Sequence, residues 1–160
     1  MVLPSLFEER LALQALRDDD VEWGAHCSYE SLQFLPKLQN SYFEADSYFE
    51  LIRDAKARVS IPVIASLNGV LPGGWLECAG LMEQAGADAI ELNFHSVVTE
   101  GTQAAEDVER GYLGLVARVK QSVSVPVAVK LSPFLSAPVN ISHRLTKEGA
   151  DALAWISHPD

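Results

Sequence analysis

The chain has 160 residues, 48% of them hydrophobic and 21% charged, which allows one domain with a packed core and excludes a disordered polymer. A net charge of −10 and a sequence pI near 4.7 argue against nucleic acid and anionic membrane surfaces as partners, because clustered Lys and Arg bind both and no such cluster stands in the sequence. The two cysteines, Cys27 and Cys78, are too few for a disulfide framework and stand in no zinc spacing, so they read as reduced structural residues and no metal site is expected.

The first ten residues already contain Glu8, Glu9 and Arg10, and no apolar run approaches membrane-spanning length, so the chain reads as cytoplasmic. Val2 to Pro4 looks like the stub of a buried strand. Ser5 then suits the N-cap of a helix that carries Phe7, Leu11, Leu13 and Leu16, has an acidic first turn and ends near Asp18. An irregular excursion at about 19–45 follows, with Gly24, Pro36 and a short helix around Ser31 to Leu35. Tyr42, Phe43, Tyr48 and Phe49 form an aromatic group expected to pack the excursion onto the domain. Tyr48 to Val59 recovers a helical period, with Phe49, Ile52 and Ala55 on one side.

From here the chain repeats. VSIPVIASL at 59–67 returns as VSVPVAVKL at 123–131, 64 residues on, and EQAGADAIEL at 83–92 returns as TKEGADALAW at 146–155, 63 residues on. Two blocks at nearly one offset describe a duplicated strand, helix, strand, helix unit. The pattern predicts strands at Ile61 to Leu67, Asp88 to Phe94, Val125 to Leu131 and Ala152 to Ser157. Helices are predicted around Trp75 to Ala85, Thr102 to Ser122 and Ala137 to Glu148, with Gly86 and Gly149 just past helix ends, where a left-handed residue is wanted.

Alternation then assigns faces. Ala89, Glu91 and Asn93 share one side of their strand and Ile90, Leu92 and Phe94 the other; Val127, Val129 and Leu131 oppose Ala128, Lys130 and Ser132 in the same way. With helices over the apolar sides, Glu91, Asn93, Lys130 and Ser132 look into a shared interior near the strands' C-terminal ends, where parallel α/β proteins keep their ligand sites. Consecutive βα units with polar interior positions and no Gly-rich phosphate loop point to a TIM (β/α)8-barrel type rather than a doubly wound sheet. About 250 residues make a closed barrel, so residues 1–160 read as a single partial barrel domain of about five strands, whose open sheet edges predict self-association as a homo-oligomer. Within this interior, Lys130 is either a ligand-contacting cation or an ion-pair partner of Glu91, and Asn93 either a ligand-contacting amide or a strand-end amide that satisfies loop backbone. Ser66, Asn68 and Gly69 end the first full strand on the interior side, where the loop either meets substrate or, the favoured reading, turns the chain; Pro72, Gly73 and Gly74 either suit an anion at a helix N-terminus or, the favoured reading, form a plain helix start.

As a set, SYFELIRDAK, IPVIASLNG, GADAIELNF, VPVAVKLSP and LTKEGADAL resemble the dihydroorotate dehydrogenase-like flavoproteins, FMN-dependent (β/α)8 barrels, over nearly the whole chain. The resemblance implies an oxidoreductase of pyrimidine biosynthesis that passes hydride from a dihydropyrimidine-type small-molecule substrate to FMN. It implies Asn93, in the E-L-N segment, and Lys130, in the V-K-L segment, as cofactor-binding residues, and Ser96, counted from Asn93, as the catalytic base. Val97 and Val98 stand where the family has Pro and Asn, and Pro4 falls about where it has a further flavin-contacting Lys. The strands whose loops hold the FMN phosphate would follow Asp160. Two other readings stay open: a non-catalytic barrel fragment acting through self-association or a partner chain, and a Schiff-base aldolase-type barrel that uses Lys130.

Overall fold

The computed structural model describes residues 1–7, 45–68, 74–94 and 101–155. Strand and helix alternate along them: β1 (Val2–Phe7), α1 (Ala45–Arg58), β2 (Ile64–Asn68), α2 (Gly74–Gln84), β3 (Ala89–Phe94), α3 (Ala105–Ser122), β4 (Val127–Leu131), α4 (Pro138–Lys147) and β5 (Ala152–Trp155). The five strands form one parallel sheet in the order β1-β2-β3-β4-β5. That sequential order is how the strands of a (β/α)8 barrel follow one another, and a doubly wound sheet would reverse direction at a switch point. The fold is therefore α/β of the TIM-barrel type, with five strands among the described residues.

The apolar stripes of the helices meet the apolar strand positions. Ile52 of α1, Cys78 and Met82 of α2, Val116 and Val119 of α3, and Ile141 and Leu145 of α4 are fully enclosed, as are Ile90, Leu92, Val127, Val129 and Leu131 on the strands. At roughly 1.5–3 kcal/mol for each large side chain removed from water, this layer is the main drive for the fold. Phe94 confirms which way the odd and even positions of β3 face: its ring stacks on Tyr112 of α3 at 4.3 Å and meets Trp75 of α2 at 5.8 Å, leaving Glu91 and Asn93 on the opposite side.

The duplicated sequence carries a duplicated device. Asp88 accepts the backbone N–H of Val63 at 2.7 Å and holds Lys56 Nζ at 2.7 Å; Asp151 accepts the N–H of Val127 at 2.8 Å and holds Lys120 Nζ at 2.7 Å. Each carboxylate thus ties the start of the preceding strand to the helix that leads into that strand. Gly86 and Gly149 precede these aspartates with φ of +99° and +107°, and a Cβ on Gly149 would come within 2.9 Å of the Lys120 stem. Both clamps lie at the N-terminal ends of the strands, the side of such folds that serves stability.

The expectation for the first strand fails. Ser5 and Phe7 do not open a helix; they continue β1, which runs from Val2 to Phe7 rather than stopping at Pro4. The pattern Ser5-Leu6-Phe7-Glu8 has the look of a helix start, but pairing with β2 buries Leu3 and Leu6, and that burial outweighs the local signal. Tyr48 and Phe49 pack inside α1 against the sheet. The rest of the expected helix to Asp18, nearly all of the excursion at about 19–45, Tyr42, Phe43, Cys27 and the Pro72 to Gly73 turn lie outside the described residues. No helix among the described residues is long and apolar enough to cross a membrane.

Candidate functional site

Register places two polar rows across the interior face of the sheet. In the lower row Ser5 pairs with Ser66, Ser66 with Glu91 and Glu91 with Ala128; in the upper row Asn68 pairs with Asn93 and Asn93 with Lys130. The upper row stands at the C-terminal ends of the strands. β2, β3 and β4 each deliver one polar side chain to that upper level by strand alternation, whereas β1 brings Phe7 and β5 brings Ala154.

Ser5 joins the lower row through an irregularity in β1. The β1–β2 register shifts between Val2 and Ser5, a stretch that contains Pro4, which has no N–H to give to a ladder. Ile64 N–H donates to Met1 O, so Ser66, two residues on, also turns its backbone groups towards β1. At that break the Tyr48 hydroxyl takes over: it accepts the Ser66 N–H at 3.0 Å and donates to the Ser66 C=O at 3.2 Å. Burial, the largest influence, pushes the Tyr48 phenol up to about 12, with the nearby Glu91 acting in the same direction and the Ser66 backbone bond against it.

The side chains form a closed hydrogen-bonded group. Ser66 Oγ lies 3.1 Å from Glu91 Oε1, 2.8 Å from Ser5 Oγ and 2.7 Å from Asn93 Nδ2; Asn93 Nδ2 also reaches Ser5 Oγ at 3.0 Å. Lys130 Nζ stands 3.7 Å from Glu91 Oε1, a long contact that leaves the ammonium's donors largely uncommitted, and its side chain is 36% exposed. Asn68 Oδ1 and Asn93 Oδ1 are buried with no hydrogen-bond partner among the described residues. The two amides stand on adjacent strands, with Lys130 in register beside Asn93, and their oxygens can accept from a donor.

Of the residues expected from sequence, Asn93 and Lys130 are brought side by side in register, and Glu91 sits beneath them. Ser132 does not join them. It follows the end of β4, and its Oγ accepts the N–H of Phe134, closing a turn. Ser96 and His95 lie outside the described residues. Ser5 and Tyr48 belong to the group although neither was expected there. Pro4 inside a buried strand was the available signal for Ser5, since a proline there marks a bulge. No group of three or more His, Cys, Asp or Glu among the described residues could hold a metal ion.

No protein-family model matches the chain. It is 35% identical over 111 residues to the catalytic subunit of dihydroorotate dehydrogenase B (NAD(+)) of Methanosarcina acetivorans, covering 69% of this chain and 36% of that protein. It is 34% identical over 100 residues to the corresponding subunit of Methanothermobacter thermautotrophicus, covering 61% of this chain and 32% of that protein. The chain spans about a third of the length of the curated relatives it matches. Among solved structures, phosphonopyruvate hydrolase aligns with 99% of the chain and 57% of its own at a TM-score of 0.60 and 19% identity, a likeness of fold. In sequence the chain is similar to the dihydroorotate dehydrogenases, and in fold to TIM-barrel enzymes.

Proposed function

We propose that the protein is a dihydroorotate dehydrogenase-like flavin oxidoreductase of pyrimidine biosynthesis, acting on a dihydropyrimidine-type substrate. The observation that carries this reading is the row Asn68, Asn93, Lys130: two buried amide oxygens with no partner among the described residues and an ammonium 3.7 Å from Glu91, on neighbouring strand ends. The donor set suits FMN, whose ring edge offers an N–H to an amide oxygen and carbonyl oxygens to an ammonium. When bound, FMN would supply the two-electron acceptor for the substrate hydride.

The chain's own residues would then act as follows. Lys130 Nζ holds positive charge where negative charge gathers on reduction, and it can turn from Glu91 to do so because the 3.7 Å contact is weak. Asn93 orients the ligand edge through its free Oδ1. Ser66, Ser5 and Tyr48 hold Asn93 and the strand end in place. Ser96, three residues beyond Asn93, is the candidate base that removes the substrate proton. The test is anaerobic mixing of the FMN-loaded protein with dihydroorotate: bleaching of the flavin that is lost in Ser96→Ala supports the assignment, and an unchanged bleaching rate in that variant removes Ser96 as base.

One observation favours a second reading, a non-catalytic fragment that pairs with another chain. Among the described residues β5 is hydrogen-bonded only to β4, and Trp155 at its end is 43% exposed. Sedimentation distinguishes it: a discrete oligomer without flavin supports pairing, and a flavin-binding monomer refutes it. The aldolase-type alternative requires Lys130 to form a Schiff base, which borohydride trapping of a carbonyl substrate would detect.

A further inference from the structure

The proton inventory of the interior group has one solution. Ser66 Oγ makes three contacts and owns one proton. Glu91, as a carboxylate, can only accept, so that proton goes to Glu91 Oε1. The other two contacts of Ser66 must then be donated to it, one by the Ser5 hydroxyl and one by Asn93. Ser5 has now spent its own proton, so its contact with Asn93 must also be donated by Asn93. The amide end that faces the two serines is therefore NH2, both of its protons are used, and Oδ1 is turned away from them, with no partner among the described residues.

We infer that Glu91 is a positioning residue: acting through Ser66, it sets the direction of the Asn93 amide, so that the site presents a carbonyl oxygen and selects a ligand with an N–H or O–H donor at that point. The inference rests on the reading of the Asn93 and Lys130 face as a ligand site, but the orientation itself belongs to the chain alone. With an apolar residue at 91, the Ser66 proton is released and can be given to Asn93; the amide is then free to turn, and the preference for a donor is lost. A glutamine at 91 keeps an amide oxygen that can accept the Ser66 proton. Charge at 91 is thus less important than the acceptor.

Side-chain amide exchange tests this without any ligand. The sequence has four asparagines, 40, 68, 93 and 140, so 15N-asparagine labelling gives a sparse spectrum, with Asn93→Leu identifying the Asn93 pair and the exposed Asn140 as reference. In the wild type and in Glu91→Gln both Asn93 amide protons exchange more slowly than those of Asn140. In Glu91→Leu and Ser66→Ala their exchange accelerates by about tenfold or more, the worth of roughly one net hydrogen bond. Backbone amide signals report whether each variant is folded, and Ser66→Ala serves if Glu91→Leu is not. Wild-type exchange as fast as Asn140 overturns the inference, as does unchanged protection in a folded Glu91→Leu or Ser66→Ala, or loss in Glu91→Gln equal to that in Glu91→Leu. Absence of FMN binding with the protection pattern intact overturns the flavin reading alone and leaves the orientation of Asn93 standing.

Discussion

Replacing Tyr48 by Phe removes one oxygen atom that satisfies two backbone groups of Ser66. The side chain is 1% exposed, so water does not replace it, and its hydroxyl stands where the β1–β2 ladder is interrupted. A buried N–H or C=O left unpaired costs about 1–3 kcal/mol, and the two together about 2–6 kcal/mol, a large share of the roughly 5–15 kcal/mol that holds a domain folded. In urea, with a slope of about 2 kcal/mol/M, Tyr48→Phe should lower the midpoint by roughly 1–3 M with the slope unchanged. A midpoint within about 0.3 M of the wild type would refute the claim that this hydroxyl repairs the sheet. Alkali gives the same claim a second reading. The folded phenol, at about 12, lies above its unfolded value of 10.0, so its contribution is complete below pH 10 and is lost as pH rises towards 12. Tyr48→Phe should therefore be destabilised less steeply than the wild type across that window.

Three further outcomes follow from the clamps and the site. Hydrogen bonds from Lys56 and the Val63 N–H, in that order, hold Asp88 below the usual carboxylate range, and those from Lys120 and the Val127 N–H do the same for Asp151. Depressed folded values mean stability that is present above about pH 4 and lost as pH falls further; the acid limb of a stability profile should be shallower in Asp88→Asn and Asp151→Asn than in the wild type. Gly149→Ala should cost more than Gly86→Ala by about 1 kcal/mol in urea denaturation, because both demand positive φ but the new methyl at 149 also meets the Lys120 stem at 2.9 Å, against 3.8 Å from Lys56 at 86. Asn93→Leu should abolish flavin retention with little loss of helical signal in circular dichroism, since the amide's role is in the ligand face rather than in the helical layer.

How much could be read from the residues varied with how local the cause was. The helices and the four later strands were legible because period and repeat agreed, and the repeat proved to mark the Lys56–Asp88 and Lys120–Asp151 clamps. Asn93 and Lys130 could be placed on one face because alternation in a parallel sheet is strict. Ser5 could not. A register shift of one residue between Val2 and Ser5 decides whether Ser5 or its neighbour faces Ser66, and that shift is a property of two strands together. Tyr48 was read as ordinary packing because a buried aromatic on a helix usually is that; its hydroxyl matters only once β1 and β2 are side by side. Ser132 fell out of the interior because the strand ended one residue before it, and its hydroxyl closed the turn instead.

The most direct test of the account is the visible absorption spectrum of the purified protein after incubation with FMN and removal of the excess. A retained flavin band, weakened in Lys130→Ala and unaffected in a surface variant such as Arg110→Ala, is the predicted result, because Lys130 lies beside Asn93 at the ligand face while Arg110 pairs with exposed Glu106 and Asp107 on α3. A colourless protein, or a band equally strong in Lys130→Ala, would contradict the assignment of that face to the flavin.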